Sequence, residues 1–298
     1  MKRTIFLIVL ILATVSANAN AATYYAKNVT GTWAAKTSWS TTGSGGADNA
    51  GPPVAGDDVI FDSGFTGTIT LGAAAACATI TVQAGATGTL ALSLYTLTVT
   101  GNMGFVSGFN VTASTGYVAM TTAGATFTGG SITNFPKITI TANVTLNANG
   151  TTIATIYHSG GAHTITLGSA LQCTVMDISQ NFGATTFAGA YDMTIGSLYM
   201  GGSADMSTTF VANTTVTVNT RLQVNKTATY THTVTAASPG FTLHNDGQSA
   251  VFGAKFTNVT ATHTIYNWYG DTLTNTTGIT NVTSVDIGGG AFTHAVGF

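Results

Sequence analysis

The chain reads as all-β, and specifically as a single-stranded parallel β-helix (a β-solenoid) with an aromatic and glycine-rich N-terminal cap. Three observations predict this. Thr supplies about a fifth of the 298 residues while Glu is absent and the other straight-chain helix formers are scarce, a balance that favours the pleated surface of a strand over a helix. Short alternations of apolar residues with Thr recur from Gly67 onward, separated by Gly, Ala or Asn, which is the period-2 signature of strands. The pattern continues to about residue 285 with few hairpin dipeptides, as expected when coils stack in one direction rather than turning back on themselves. An antiparallel β-sandwich is the alternative that short strands and frequent turns also allow. Disorder is excluded, because 44% of the residues are hydrophobic and 6% are charged, the reverse of a disordered composition.

Residues 1–21 have the order of a secretory signal peptide: basic Lys2-Arg3, an apolar run over residues 5–15, and Ala19-Asn20-Ala21 as a small-residue cleavage site. The run is shorter than the roughly 20 residues needed to span a bilayer. The expectation is a mature chain that is secreted or on the cell surface, with no membrane span after signal removal. Without Lys2 and Arg3, six scattered basic residues (Lys27, Lys36, Lys137, Arg221, Lys226, Lys255) face ten Asp. That distribution argues against nucleic acid as a partner, which requires clustered Lys and Arg.

Residues 22–66 form the expected cap and first strands. Thr23-Tyr24-Tyr25-Ala26 opens them, followed by Trp33, Ser38-Trp39-Ser40, the spacer Gly43-Ser44-Gly45-Gly46, Pro52-Pro53, and Asp57-Asp58 leading into Val59-Ile60-Phe61. A solenoid buries an apolar stripe of each coil against the next and needs special ends, so Trp33 and Trp39 read as a plug. Their second reading, with Trp268, is as stacking platforms for a glycan. Asp48, Asp57, Asp58 and Asp62 are the one local carboxylate cluster. They are either turn residues or oxygen ligands of a structural Ca2+, the one cofactor considered.

Residues 67–285 are the expected coils. Thr68-Ile69-Thr70-Leu71, Thr79-Ile80-Thr81-Val82, Thr89-Leu90-Ala91-Leu92, Leu97-Thr98-Val99-Thr100, Val144-Thr145-Leu146 and Val216-Thr217-Val218 carry the alternation. His163-Thr164-Ile165-Thr166, His232-Thr233-Val234-Thr235 and His263-Thr264-Ile265-Tyr266 repeat one phrase, with His at a strand start. Asn near the turns is expected to stack in ladders, and Thr to lie on the outward positions. Cys77 and Cys173 would sit about five coils, or roughly 24 Å, apart at about 4.8 Å per coil. A disulfide needs Cα atoms within about 7 Å, so both are expected as separate free thiols, Cys173 buried. Residues 286–298, with Gly288-Gly289-Gly290 and then aromatic residues, read as a C-terminal cap.

The opening, from Trp33 through Gly56-Asp57-Asp58-Val59-Ile60-Phe61-Asp62, and the ending, Asp286 with Gly288-Gly289-Gly290, resemble those of exported or virion-associated parallel β-helix proteins of bacteria and their phages. The resemblance covers the two ends, and the middle by composition alone. It implies the fold and a surface, adhesive or tail-fibre-like role. Gly56-Asp57-Asp58-Val59-Ile60 also superficially resembles the paired-Asp motif of β-helical polygalacturonases, but that family's Asn-Thr-Asp, Gly-His-Gly and Arg-Ile-Lys elements are missing. Asp57 and Asp58 are therefore read as strand-entry residues.

The catalytic inventory is thin. Asp246 and Asp271 are spaced by about one coil, near His244 and Lys255, and are the candidate acid and base of a carbohydrate-active site. No nucleophile elbow, phosphate loop or compact zinc motif is evident. The expected function is a non-enzymatic extracellular solenoid serving as a structural or adhesive surface, with a surface glycan or further copies of itself as partner. A phage tail-fibre or spike component is the first alternative, and a β-helical polysaccharide lyase or hydrolase the second.

Overall fold

A computed structural model describes residues 21–48, 51–181, 183–201, 204–224, 230–252, 254–268 and 273–282. The expected signal peptide and C-terminal cap lie outside them, apart from Ala21. The chain is a parallel β-solenoid with 59% strand and 1% helix. Among the described residues every strand pairing is parallel except the two-residue match of Tyr25 with Ser40 and Ala26 with Trp39, so the antiparallel sandwich does not describe this chain.

Each coil contributes strands to three faces. On the first face Thr23–Ala26 lies beside Asp58–Phe61, which lies beside Thr79–Val82. The same ladder continues through Val144–Asn147, His163–Leu167 and Ala184–Ala188 to His232–Ala236. Thr23–Ala26, one of the first strands expected within residues 22–66, thus belongs to the same ladder as the coils. The second face starts with Thr30–Thr32, Thr68–Thr70, Thr89–Ser93 and Asn110–Ala113. The third begins with Ala75–Cys77, Thr96–Val99 and Tyr117–Met120.

From Phe135–Ile140 onward, single long strands run round the corner from the second face to the third. In Thr152–Gly160 the alternation slips there: Ile153 and Ile156 are buried while Ala154 and Thr155 between them are not. Met193–Met200 slips in the same way between Ile195 and Leu198. One extra residue at the corner keeps both halves facing inward, since a strand's side chains alternate with a strict period of two. Coil length is elastic for the same reason. Asn258 reaches Asn275 of the next coil 17 residues on, whereas Asp205 reaches Thr231 after 26.

The core is a stack of inward Ile, Leu, Val, Met and Phe side chains. Phe105, Phe127 and Phe135 pack within it at ring separations of 4.9 to 5.9 Å. Further along, Phe187 stacks on Phe210 at 5.2 Å, and Phe210 meets Phe241 at 4.6 Å. Cys77 and Cys173 are both free and buried, as the coil spacing required. Outward positions of the first face are mostly Thr, among them Thr79 and Thr81, Thr164 and Thr166, and Thr233 and Thr235.

Candidate functional site

The third face differs in chemistry from the other two. Its inward residues Val118, Ile138, Ile156, Leu198 and Leu222 are buried. Alternation therefore turns Tyr117, Lys137, Tyr157, Tyr199 and Arg221 outward, all partly exposed. Register places them in two adjacent columns. One runs from Tyr117 to Lys137 and on to Thr155, and later from Ser197 to Arg221 and Gln248. The other runs through Thr139, Tyr157, Asp177, Tyr199 and Gln223. Tyr157 and Tyr199 thus stand two coils apart in one column, about 10 Å at about 4.8 Å per coil.

The cations lie against these rings. Lys137 Nζ is 4.3 Å from the centre of the Tyr157 ring and 5.1 Å from that of Tyr117. Arg221 Cζ is 5.9 Å from the Tyr199 ring. Such contacts draw cation and ring together through the ring quadrupole. Burial, reinforced by the Asp177 carboxylate, pushes the Tyr157 hydroxyl above its ordinary pKa, so it is a neutral hydrogen-bonding group. Further along, Ser197, Tyr199, Arg221, Asp246 and Gln248 line a cleft of about 630 Å³.

Asp246 sits at the corner between the second and third faces, directly after Phe241–Asn245. His244 Nε2 is 2.9 Å from Asp246 Oδ1, and His263 Nδ1 of the next coil is 3.8 Å from the same oxygen. The two imidazole rings meet edge to face at 5.3 Å. Thr262 Oγ1 lies 2.8 Å from His244 Nδ1 and fixes that ring from its other side. Gly247 follows because the coils approach closely here: any Cβ on it would collide with the Thr220 carbonyl of the coil below.

The other residues singled out in the sequence are placed as follows. Asp271 lies outside the described residues. Trp33 and Trp39 are 4% and 0% exposed, pack edge to face at 4.9 Å, and donate their ring N–H groups to the carbonyls of Pro53 and Trp33. They form the plug and leave no ring face for a sugar. The backbone of Trp268 pairs with Phe252, and its side chain is outside what is described. Asp57 accepts from the backbone N–H groups of Ala22 and Val54, and Asp58 from the Thr79 hydroxyl. Asp62 accepts from the N–H groups of Ser44 and Gly64, and Asp48 pairs with Lys27. Each of the four carboxylates thus ties a separate piece of the N-terminal region. Among the described residues, the one group of three His, Cys or Asp side chains close enough to share an ion is His244, Asp246 and His263.

Sequence reasoning missed the tyrosine face because it sought Trp. The signal that could have found it is Tyr and basic residues recurring at multiples of a coil within otherwise Thr-rich strands. It also treated His244 and His263 separately, although their spacing is close to one coil. No family model, curated protein or solved structure matches this chain.

Proposed function

We propose that this chain is an exported, non-enzymatic solenoid that holds an extended glycan along its third face, serving surface attachment. One observation carries the reading: outward Tyr117, Tyr157 and Tyr199 share the third face with Lys137, Arg221 and Gln248, in register along the solenoid axis. Tyrosine combines a rigid apolar ring with a polar tip, which suits the C–H faces and hydroxyls of sugars. The amides and cations supply directed hydrogen bonds. Rings two coils apart would contact separate units of one extended chain. The N-terminal pattern of Lys2-Arg3, an apolar run and Ala19-Asn20-Ala21 supports export.

A glycan array probed with the chain and with a Tyr157→Ala/Tyr199→Ala double variant tests this. Each ring contributes about 0.5–1.5 kcal/mol beyond its buried area, so the double variant should bind its best glycan about tenfold or more weakly. Thr164→Val on the first face should bind as the parent does. An array without any bound glycan, or a double variant with undiminished affinity, would refute the proposal. A lyase or hydrolase reading is favoured by Asp246, which pairs with His244 and lines one cleft with Arg221. Cleavage of the bound glycan that Asp246→Asn abolishes would establish that reading instead.

A further inference from the structure

Two imidazoles and a carboxylate from successive coils converge at the corner between the second and third faces. One nitrogen or oxygen from each of His244, Asp246 and His263 lies within 4.8 Å of the other two. Ligands at about 2.0–2.1 Å from a tetrahedral ion are about 3.3 Å from one another. The observed spacings of 2.9 and 3.8 Å from Asp246 Oδ1 to the two rings bracket that value. We propose that His244, Asp246 and His263 bind one divalent, late first-row metal ion of the zinc class, which clamps two neighbouring coils together.

The donor set selects the metal. Ca2+ and Mg2+ take shells made of oxygen, whereas imidazole nitrogen suits Zn2+ and its neighbours, and a site without thiolate disfavours Cu+. Two His and one carboxylate with an open position is the pattern of three-ligand zinc sites, whose remaining position holds water or an added ligand. The site is open to incoming ions, since the side chains of His244, Asp246 and His263 are 36%, 48% and 58% exposed.

Thr262 adds an independent argument. With its oxygen 2.8 Å from His244 Nδ1, it can accept the Nδ1 proton, which leaves the Nε2 lone pair directed at Asp246 and the ion. An outer hydrogen bond that fixes the ring and its tautomer is the usual support of a metal-binding His. The ligands fall on both sides of a coil boundary, with His244 and Asp246 in one coil and Thr262 and His263 in the next. The unfolded chain lacks this arrangement, so binding favours the folded state. The proposal does not depend on the glycan reading, and its test reads metal directly.

The test is calorimetric titration of the purified full chain, stripped with chelator, with Zn2+. One ion per chain is expected, with a rise in Tm of several degrees at saturation. His263→Ala and Asp246→Asn should weaken binding at least tenfold and abolish the Tm rise. Thr262→Val should weaken it by about 10- to 100-fold with an unchanged circular dichroism spectrum. His263 is the most exposed of the three, so its variant keeps the test valid if Asp246→Asn fails to fold. Absence of saturable Zn2+ binding, binding that a folded His263→Ala protein retains in full, or a preference for Ca2+ would overturn the proposal.

Discussion

His158 and His232 are both 0% exposed. His158 Nδ1 is 3.0 Å from the Thr185 hydroxyl and its Nε2 3.1 Å from His163 Nδ1, while His232 Nε2 is 2.9 Å from the Thr208 hydroxyl. Burial disfavours the charged ring, and for His158 the neighbouring His163 adds to this, so both pKa values fall from 6.5 to about 4. A depressed His pKa means that the unfolded chain takes up protons that the folded chain refuses. Stability is therefore intact above pH 6.5 and declines as the pH falls toward 4, by up to about 1.4 kcal/mol per pH unit for each ring. Urea denaturation at pH 7, 5.5 and 4.5 should show the midpoint dropping steadily. An unchanged midpoint across that range would show that neither ring is held neutral. The two thiols obey the same rule, burial pushing Cys77 and Cys173 up to about 12, and so serve as small apolar core residues rather than nucleophiles.

At the scale of the element, a recurring device sets where each strand begins. Asn102 accepts from the backbone N–H of Thr126 at 2.9 Å, Asn143 from Thr164, Asp192 from Thr215 and Asp205 from Thr231, each at 2.7 Å. In every case the acceptor stands immediately before a strand, and the donor occupies the matching register position one coil on. The short polar side chain satisfies a backbone N–H that the strand ladder leaves over, which explains the abundance of Asn and Asp at turns. Inside the strands, large inward rings supply the packing. Phe127 is fully buried between Phe105 and Phe135, so Phe127→Ala should cost about 3–5 kcal/mol through lost contact and an unfilled cavity. Chemical denaturation would measure it, and a loss below about 1 kcal/mol would mean that the coils collapse around the gap.

For the whole molecule, the decisive property is that a solenoid has ends. Thr23–Ala26 covers the free edge of Asp58–Phe61, and Trp39 and Ser40 pair antiparallel with Tyr25 and Ala26, closing part of the next edge. Reversing direction there matters, because an open parallel edge invites another chain. Removing residues 22–57 would bare both the edge of Asp58–Phe61 and the core behind Phe61 and Phe65. The shortened chain should then form dimers or larger assemblies by light scattering, whereas a strictly monomeric product would show that the N-terminal segment protects nothing. The glycan-binding role proposed for the third face also belongs to this scale, since the columns of Tyr, Lys, Arg and Gln exist as columns only when successive coils are in register.

The sequence by itself determined the all-β class, the stacked-coil architecture, the burial of Trp33 and Trp39 as a plug, and the separation of the two cysteines. Composition, period-2 alternation and spacing are local properties, and each is legible in a short window of residues. Only the tertiary structure decided which outward residues share a face. The step from one coil to the next is 14 residues between Ile265 and Ile279 but 27 between Arg221 and Gln248, and corners absorb extra residues, so separation along the chain does not reveal alignment across coils. Tyr157 and Tyr199 entered one column, and His244 and His263 closed on Asp246, because inward packing of the apolar residues in each coil fixed its register against the next.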